Sequence, residues 1–162
     1  MSSIFNSLRL VGAAALGFAI SIAAADQAFA ATPLGEWLVA EKSARIKLVD
    51  CAGSLWGIVS WEADPGLDSH NPDPKKRNQP ITGTPVLLGL KPSGPNRWDG
   101  SLYNADNGKT YSGGITLVDE NALRVRGCIL FVLCGGENWK RVDAVSSSNT
   151  DMCKRVISEA SR

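Results

Sequence analysis

Across residues 122–128 the chain alternates strictly. Leu123 and Val125 fall on one side, Arg124 and Arg126 on the other. A period of two with charge on one side marks a β-strand in a sheet with one wet face and one buried face. Segments 37–41, 44–50, 54–61, 85–90, 97–104, 110–118 and 137–143 also carry strand signals, making eight with 122–128. Turn chemistry separates several of them. Asp106-Asn107-Gly108 supplies residues that tolerate positive φ, and Asp119-Glu120-Asn121 makes a second tight link. Consecutive antiparallel strands leave two open edges unless the sheet closes on itself. The expected fold is therefore all-β, a single antiparallel eight-stranded barrel with up-and-down topology. A barrel of that size is just wide enough to be filled by side chains or to hold one small ligand.

Two stretches interrupt the strand pattern. The link 62–84, between the third and fourth strands, is rich in Pro, Asp, Asn and charge. A structureless segment of that length in a compact domain is a functional or mobile one. The Ser146-Ser147-Ser148-Asn149-Thr150 run reads as a linker, and residues 152–162 as a short helix or a disordered tail. At the other end, Arg9 is the only charge before the uncharged run 10–25, which is followed by Ala28-Phe29-Ala30. That order is a secretory signal peptide cleaved after Ala30. The run is shorter than the roughly 20 residues of a spanning helix and is rich in Ala and Gly. The expected organisation is a signal peptide over 1–30, a barrel domain over 31–145, and a linker with C-terminal tail over 146–162. The product is periplasmic or secreted, with no integral membrane segment after processing.

Export decides how the four cysteines read. An even set in an oxidising compartment favours disulfides over metal sites. Cys128 and Cys134 flank a short apolar link at the two sides of a hairpin, where a cross-strand bridge is sterically reasonable. That leaves Cys51 with Cys153, tying the tail back to the barrel, although connectivity is not fixed by sequence and the other pairings stay open. The absence of C-x-x-C argues against a thioredoxin-like catalyst. Net charge is +1, and the signal peptide removes one charge of each sign, Arg9 and Asp26. Bulk electrostatics gives no reason to expect nucleic acid.

The most polar constellation is Asp68-Ser69-His70-Asn71-Pro72-Asp73. Asp68, His70 and Asp73 are the residue types that bind a cation or act as acid and base, yet the spacing is not that of an EF-hand. Asp and Asn here are favoured as turn formers that bond their own backbone, with Pro72 fixing the chain direction. His70 is the sole histidine, and no Gly-x-Ser-x-Gly elbow is present. Lys75-Lys76-Arg77 reads as solvated charge on an exposed loop. Trp98, Tyr103 and Tyr111 belong to a hairpin whose alternating aromatics form a cross-strand packing unit or the rim of a pocket. Trp56 and Trp61, five apart, fall on opposite faces of a regular strand, one of them inside.

Gly35-Glu36-Trp37 opens the first strand and Trp139-Lys140-Arg141 lies in the last. The pair resembles the lipocalin signature, a G-x-W at the barrel entrance closed by a basic residue from the final strand. Gly35, Trp37, Trp139 and Arg141 are thus structural, with Arg141 expected over the Trp37 indole. A wider set resembles the small exported bacterial proteins known as domain of unknown function 2147. Its segments are Leu55-Trp56-Gly57-Ile58-Val59-Ser60-Trp61, the Asp68–Asp73 motif, Gly83, and Trp98-Asp99-Gly100-Ser101-Leu102-Tyr103-Asn104. They continue with Asp106-Asn107-Gly108-Lys109-Thr110-Tyr111, Leu123-Arg124-Val125-Arg126-Gly127 and Trp139-Lys140-Arg141-Val142. Asn104 and Ala105 depart from the family's Asp and Pro. Trp56 stands where relatives often have Cys, which leaves Cys51 free for a distant partner. The resemblance implies a small lipocalin-like barrel and no activity.

The expected function is non-catalytic binding of a small apolar or amphipathic ligand inside the barrel, at the open end near the long loop. Trp56, Trp61, Trp98, Tyr103 and Tyr111 are the candidate ligand-binding residues. No catalytic set, metal site or cofactor is implied, and no protein partner is identifiable. The alternative is a cell-envelope interaction module with a solid barrel core. A hydrolase or metal-dependent activity at residues 68–73 ranks third.

Overall fold

A computed structural model describes residues 32–129, 133–144 and 150–160. The expected signal peptide, the middle of the 129–133 link and most of the Ser-rich linker lie outside the described residues. The strands are β1 Gly35–Leu38, β2 Ala44–Cys51, β3 Ser54–Glu62, β4 Pro85–Gly94, β5 Arg97–Asn104, β6 Lys109–Asp119, β7 Ala122–Ile129 and β8 Leu133–Ala144. Each pairs antiparallel with its sequence neighbour, and β1 pairs with β8, so the sheet is a closed up-and-down barrel. One helix, α1, spans Thr150–Ala160. The first strand ends earlier than its pattern suggested, at Leu38, because Lys42 takes positive φ in the following turn. The last strand starts earlier, at Leu133, in register with Ile129.

The alternation read from sequence becomes an interior to which all eight strands contribute. Trp37, Ile46, Leu48, Leu55, Val59, Leu87, Leu90, Ile115, Leu117, Leu123, Val125 and Trp139 form one buried cluster, with Trp98 and Leu102 of β5 packed against it. Gly57 makes room for this filling. A Cβ at that position would stand 2.7 Å from Cγ of Leu87 on the neighbouring strand. Burial of each such aliphatic or aromatic side chain stabilises by about 1.5–3 kcal/mol.

The N-terminal end of β1 is clamped. The Trp37 indole is fully buried and donates to the Pro33 carbonyl at 2.8 Å. Arg141 of β8 lies over its ring, 4.2 Å from the centre. The same guanidinium donates from Nη1 to Leu34 O and from Nη2 to Thr32 O, both at 2.6 Å, and from Nε to Glu120 O. One cation thereby covers the indole and satisfies three carbonyls of two segments.

Two features of the walls were not in the sequence pattern. Arg45 pairs with Trp61 while Ile46 pairs with Val59, so Ser60 is an extra residue in β3. The bulge reverses the parity of the strand beyond Ser60. The expectation that one of Trp56 and Trp61 lies inside is therefore corrected. Trp61 is 41% exposed with the Arg45 guanidinium 5.1 Å from its ring centre, and Trp56 packs on the outer face. The second feature is Glu137, which shares the inward face with Val125 and Trp139. Its carboxylate accepts from the Trp139 indole N–H and bonds the Glu41 carboxyl.

A second, smaller cluster lies on the outside of the wall. Val49 and Cys51 of β2 and Ile58 of β3 are covered by Val156 of α1, with Met152 and Trp56 alongside. A Cys51–Cys153 disulfide holds the helix there across 102 residues of sequence. The other disulfide, Cys128–Cys134, joins directly opposed residues of β7 and β8 whose Cα atoms are 4.0 Å apart.

In a double-mutant cycle, Trp37→Leu and Arg141→Gln are expected to couple by about 0.5–2 kcal/mol in urea unfolding, and additive effects would mean that the stacked pair contributes nothing. A second expectation concerns Glu137. Burial first, and the Glu41 carboxyl with it, raise its pKa above the ordinary Glu value, although the Trp139 N–H opposes them. The folded state therefore holds this proton more tightly than the unfolded chain. Its contribution favours folding below the unfolded pKa and is lost as pH rises through the folded pKa. Glu137→Gln should raise the melting temperature at pH 7 and leave it nearly unchanged below about pH 4. Equal shifts at both pH values would contradict this.

Candidate functional site

The outer face of β3 to β5 breaks the rule that outward residues are polar. Trp56 and Ile58 project from β3, Pro85 and Leu88 from β4, and Tyr103 from β5. The 63–84 loop folds back along this face, α1 borders it, and between them is a cavity of about 500 Å³. Trp56, Ile58, Leu88, Met152 and Val156 make its apolar side, and Asp68, Asn71, Lys76, Tyr103 and Arg155 its main polar one.

The loop is not structureless, which corrects the expectation for 62–84. Leu67 and Pro80 form an antiparallel bridge, and a 3₁₀ turn spans Pro74–Lys76. Side chains of the polar constellation build it. Asn71 Oδ1 accepts from Asp73 N at 2.9 Å, Asp73 Oδ1 accepts from Lys75 N at 3.0 Å, and Arg77 Nε donates to Asn71 O at 2.8 Å. These are the local side-chain-to-backbone bonds by which Asn and Asp turn a chain. At the far end Gly83 N bonds Val59 O and Val59 N bonds Thr84 O, anchoring the loop to β3. At the near end the His70 carbonyl sits against Gly108, which has φ +66°. A Cβ there would overlap that oxygen, so only glycine serves both the β5–β6 turn and the docked loop.

Asp68 is the pivot. It is 2% exposed, and both of its oxygens are occupied. Oδ1 accepts from the Tyr103 hydroxyl and Oδ2 from Asn71 Nδ2, each at 2.6 Å. Burial, and then the Asp68 carboxylate it donates to, push the Tyr103 phenol well above its usual pKa, while Asn71 opposes them. Tyr103 thus stays a protonated donor, and the pair fastens the loop to the wall.

The sequence candidates separate accordingly. Trp56 and Tyr103 line the groove, as do Asp68 and Asn71 of the loop motif. Trp98 packs toward the barrel interior, and Trp61 is stacked with Arg45. The Tyr111 hydroxyl accepts from Asn107 Nδ2 at 3.0 Å within the hairpin turn. His70 is exposed, its Nδ1 3.4 Å from Ser69 Oγ, and it does not border the groove. Asp73 is spent on the 3₁₀ turn. Ile58, Leu88, Met152, Arg155 and Val156 went unnoticed as site residues, and Lys76, read as solvated charge, borders the groove. A signal for two of them was present, since Met152 and Val156 stand four apart, on one face of a helix.

The family described as "Uncharacterized protein conserved in bacteria (DUF2147)" matches residues 35–141, well over half of the chain. Among solved structures, protein HP1028 from Helicobacter pylori, described as belonging to the lipocalin family, is similar with a TM-score of 0.63 and 21% identity. The likeness covers 76% of this chain and 88% of that one, and it is a likeness of fold. No curated protein matches the chain.

Tyr103→Phe removes one of the two partners of a buried carboxylate. It is expected to cost about 1–3 kcal/mol in urea unfolding and to speed limited proteolysis within the 63–84 loop. Unchanged cleavage would mean that the Asp68–Tyr103 bond does not hold the loop.

Proposed function

This chain belongs to the family of uncharacterized proteins conserved in bacteria, and from that premise we propose that it is an exported, non-catalytic binding protein for a small apolar or amphipathic molecule. The observation that carries the reading is the groove between the outer wall, the loop and α1. Its volume of about 500 Å³ falls within the ~300–1,000 Å³ of small-molecule pockets, and its lining joins apolar side chains to a few convergent polar groups. The sequence placed the ligand inside the barrel. Packing of the interior cluster moves the proposed site to the other side of the wall.

Export is supported by the signal-peptide pattern of residues 1–30 and by two disulfides, which persist in oxidising compartments. The location on this reading is periplasmic or secreted. Among the described residues no helix is long and apolar enough to cross a membrane. The non-catalytic part rests on the Asp68–Asp73 motif. Asp68 faces Tyr103, Asp73 caps the 3₁₀ turn and His70 points elsewhere, so no acid–base pair converges on the groove. An envelope interaction module shares the buried interior cluster, and the concave groove of about 500 Å³ is what favours a small molecule over a protein surface.

Native mass spectrometry and solvent extraction of the purified processed protein should reveal a co-purifying small molecule, and a fluorescent fatty acid should bind and be displaced. Leu88→Asp, on the half-buried outer wall, should weaken the probe by at least about tenfold without lowering the melting temperature appreciably. No bound molecule and no displacement by any lipid would defeat the proposal.

A further inference from the structure

Resting on the reading of the groove as a binding site, we infer that its ligand is a single-chain anionic amphiphile whose head group is read by Lys76 and Arg155. The floor sets the first half of this chemistry. Trp56, Ile58 and Leu88 of the wall and Met152 and Val156 of α1 offer an apolar surface that matches a hydrocarbon chain. It is continuous with the buried outer cluster around Val49 and Ile58.

Charge sets the second half. Three charged side chains border the groove: Lys76 from the loop, Arg155 from the helix, and Asp68. Asp68 is buried, and each of its oxygens accepts a hydrogen bond, one from Tyr103 and one from Asn71, so the carboxylate is engaged in fastening the loop to the wall. The cations differ from it. Among the described residues neither the Lys76 ammonium nor the Arg155 guanidinium has a carboxylate within ion-pair distance. Half-buried Lys76 belongs to a run that reads as solvated charge in sequence, yet it alone of Lys75, Lys76 and Arg77 lines the groove. Among the described residues the lining thus sets two cations without an ion pair against one buried carboxylate. An anionic head completes that arrangement, whereas a cationic head would meet two like charges. Because the cations come from loop and helix separately, one anion binding both would also join the two walls.

The test uses the processed full chain and the uncharged probe N-phenyl-1-naphthylamine, displaced by amphiphiles of one chain length below their micelle concentrations. These are dodecanoate, dodecyl phosphate, dodecanol and dodecyltrimethylammonium. Dodecanoate or dodecyl phosphate is expected to displace at least about tenfold better than dodecanol, with the ammonium weakest, and the ranking of the two anions tells carboxylate from phosphate. The advantage should shrink as salt is raised from low ionic strength. In K76Q/R155Q the anions should fall to within about twofold of dodecanol, while dodecanol itself is unchanged, which also shows that the groove is intact. Equal displacement by all head groups in the native chain, or preference for the ammonium, overturns this inference and leaves the binding function standing. Displacement by none of them overturns both.

Discussion

Closure of the barrel depends on its shortest strand. Only four residues, Gly35–Leu38, join β2 to β8, and their pairing with β8 is interrupted by a bulge after Glu36. Backbone hydrogen bonds alone make this a weak seam. Arg141 reinforces it by stacking on Trp37 and donating to carbonyls of residues 32, 34 and 120, so one side chain ties the incoming segment, the last strand and the β6–β7 turn. A neutral residue of similar length would supply fewer donors and no attraction to the indole face. Every inward residue of the other strands relies on that seam being shut, because an open sheet has no inside.

The buried interior cluster and the groove lie on opposite faces of the wall. The inner cluster draws on all eight strands and includes two tryptophans from the terminal strands, Trp37 and Trp139. Strands β2 to β4 are apolar on both faces, with Leu55 and Val59 inward and Ile58 outward. Exposed to water, the outward set would destabilise the native state and invite association. The loop and α1 cover part of it. Their coverage is incomplete, and the uncovered remainder is the groove. The groove is thus a by-product of shielding the second face of the sheet.

Strand order, barrel closure and the Trp37–Arg141 contact were legible because each rests on short-range alternation or on a local motif at a chain end. Limits appear where a contact spans long separations. Tyr103 and Asp68 lie 35 residues apart, and nothing in either neighbourhood marks them as partners. Met152 and Val156 reach the wall through a disulfide that spans 102 residues, so the groove has no contiguous signature. Trp61 failed for a different reason. A single bulged residue, Ser60, inverts the face on which it lies, and bulges leave little trace in composition. The loop motif was read correctly as turn chemistry at Asn71 and Asp73. Its Asp68 proved also to be a tertiary fastening, which local pattern cannot distinguish from a turn former.

The two walls of the groove are held by different chemistry, and the loop also sends Ile81 to pack against the interior cluster. The loop is fastened by Asp68 to Tyr103, with anchors at Val59 and the glycine contact at Gly108, and the helix by Cys51–Cys153 with Val156 seated beside it. Neither the Asp68–Tyr103 bond nor the disulfide shares a side chain with the interior cluster. Substitutions of Lys76 and Arg155 therefore recharge the groove without touching the interior cluster. Such separation lets one rigid barrel carry grooves of different chemistry. In this chain the chemistry is set by which residues of loop and helix, such as Lys76 and Arg155, happen to face the wall. A groove assembled in this way takes its lining from the loop and the helix, while the inward alternation of the eight strands serves the core.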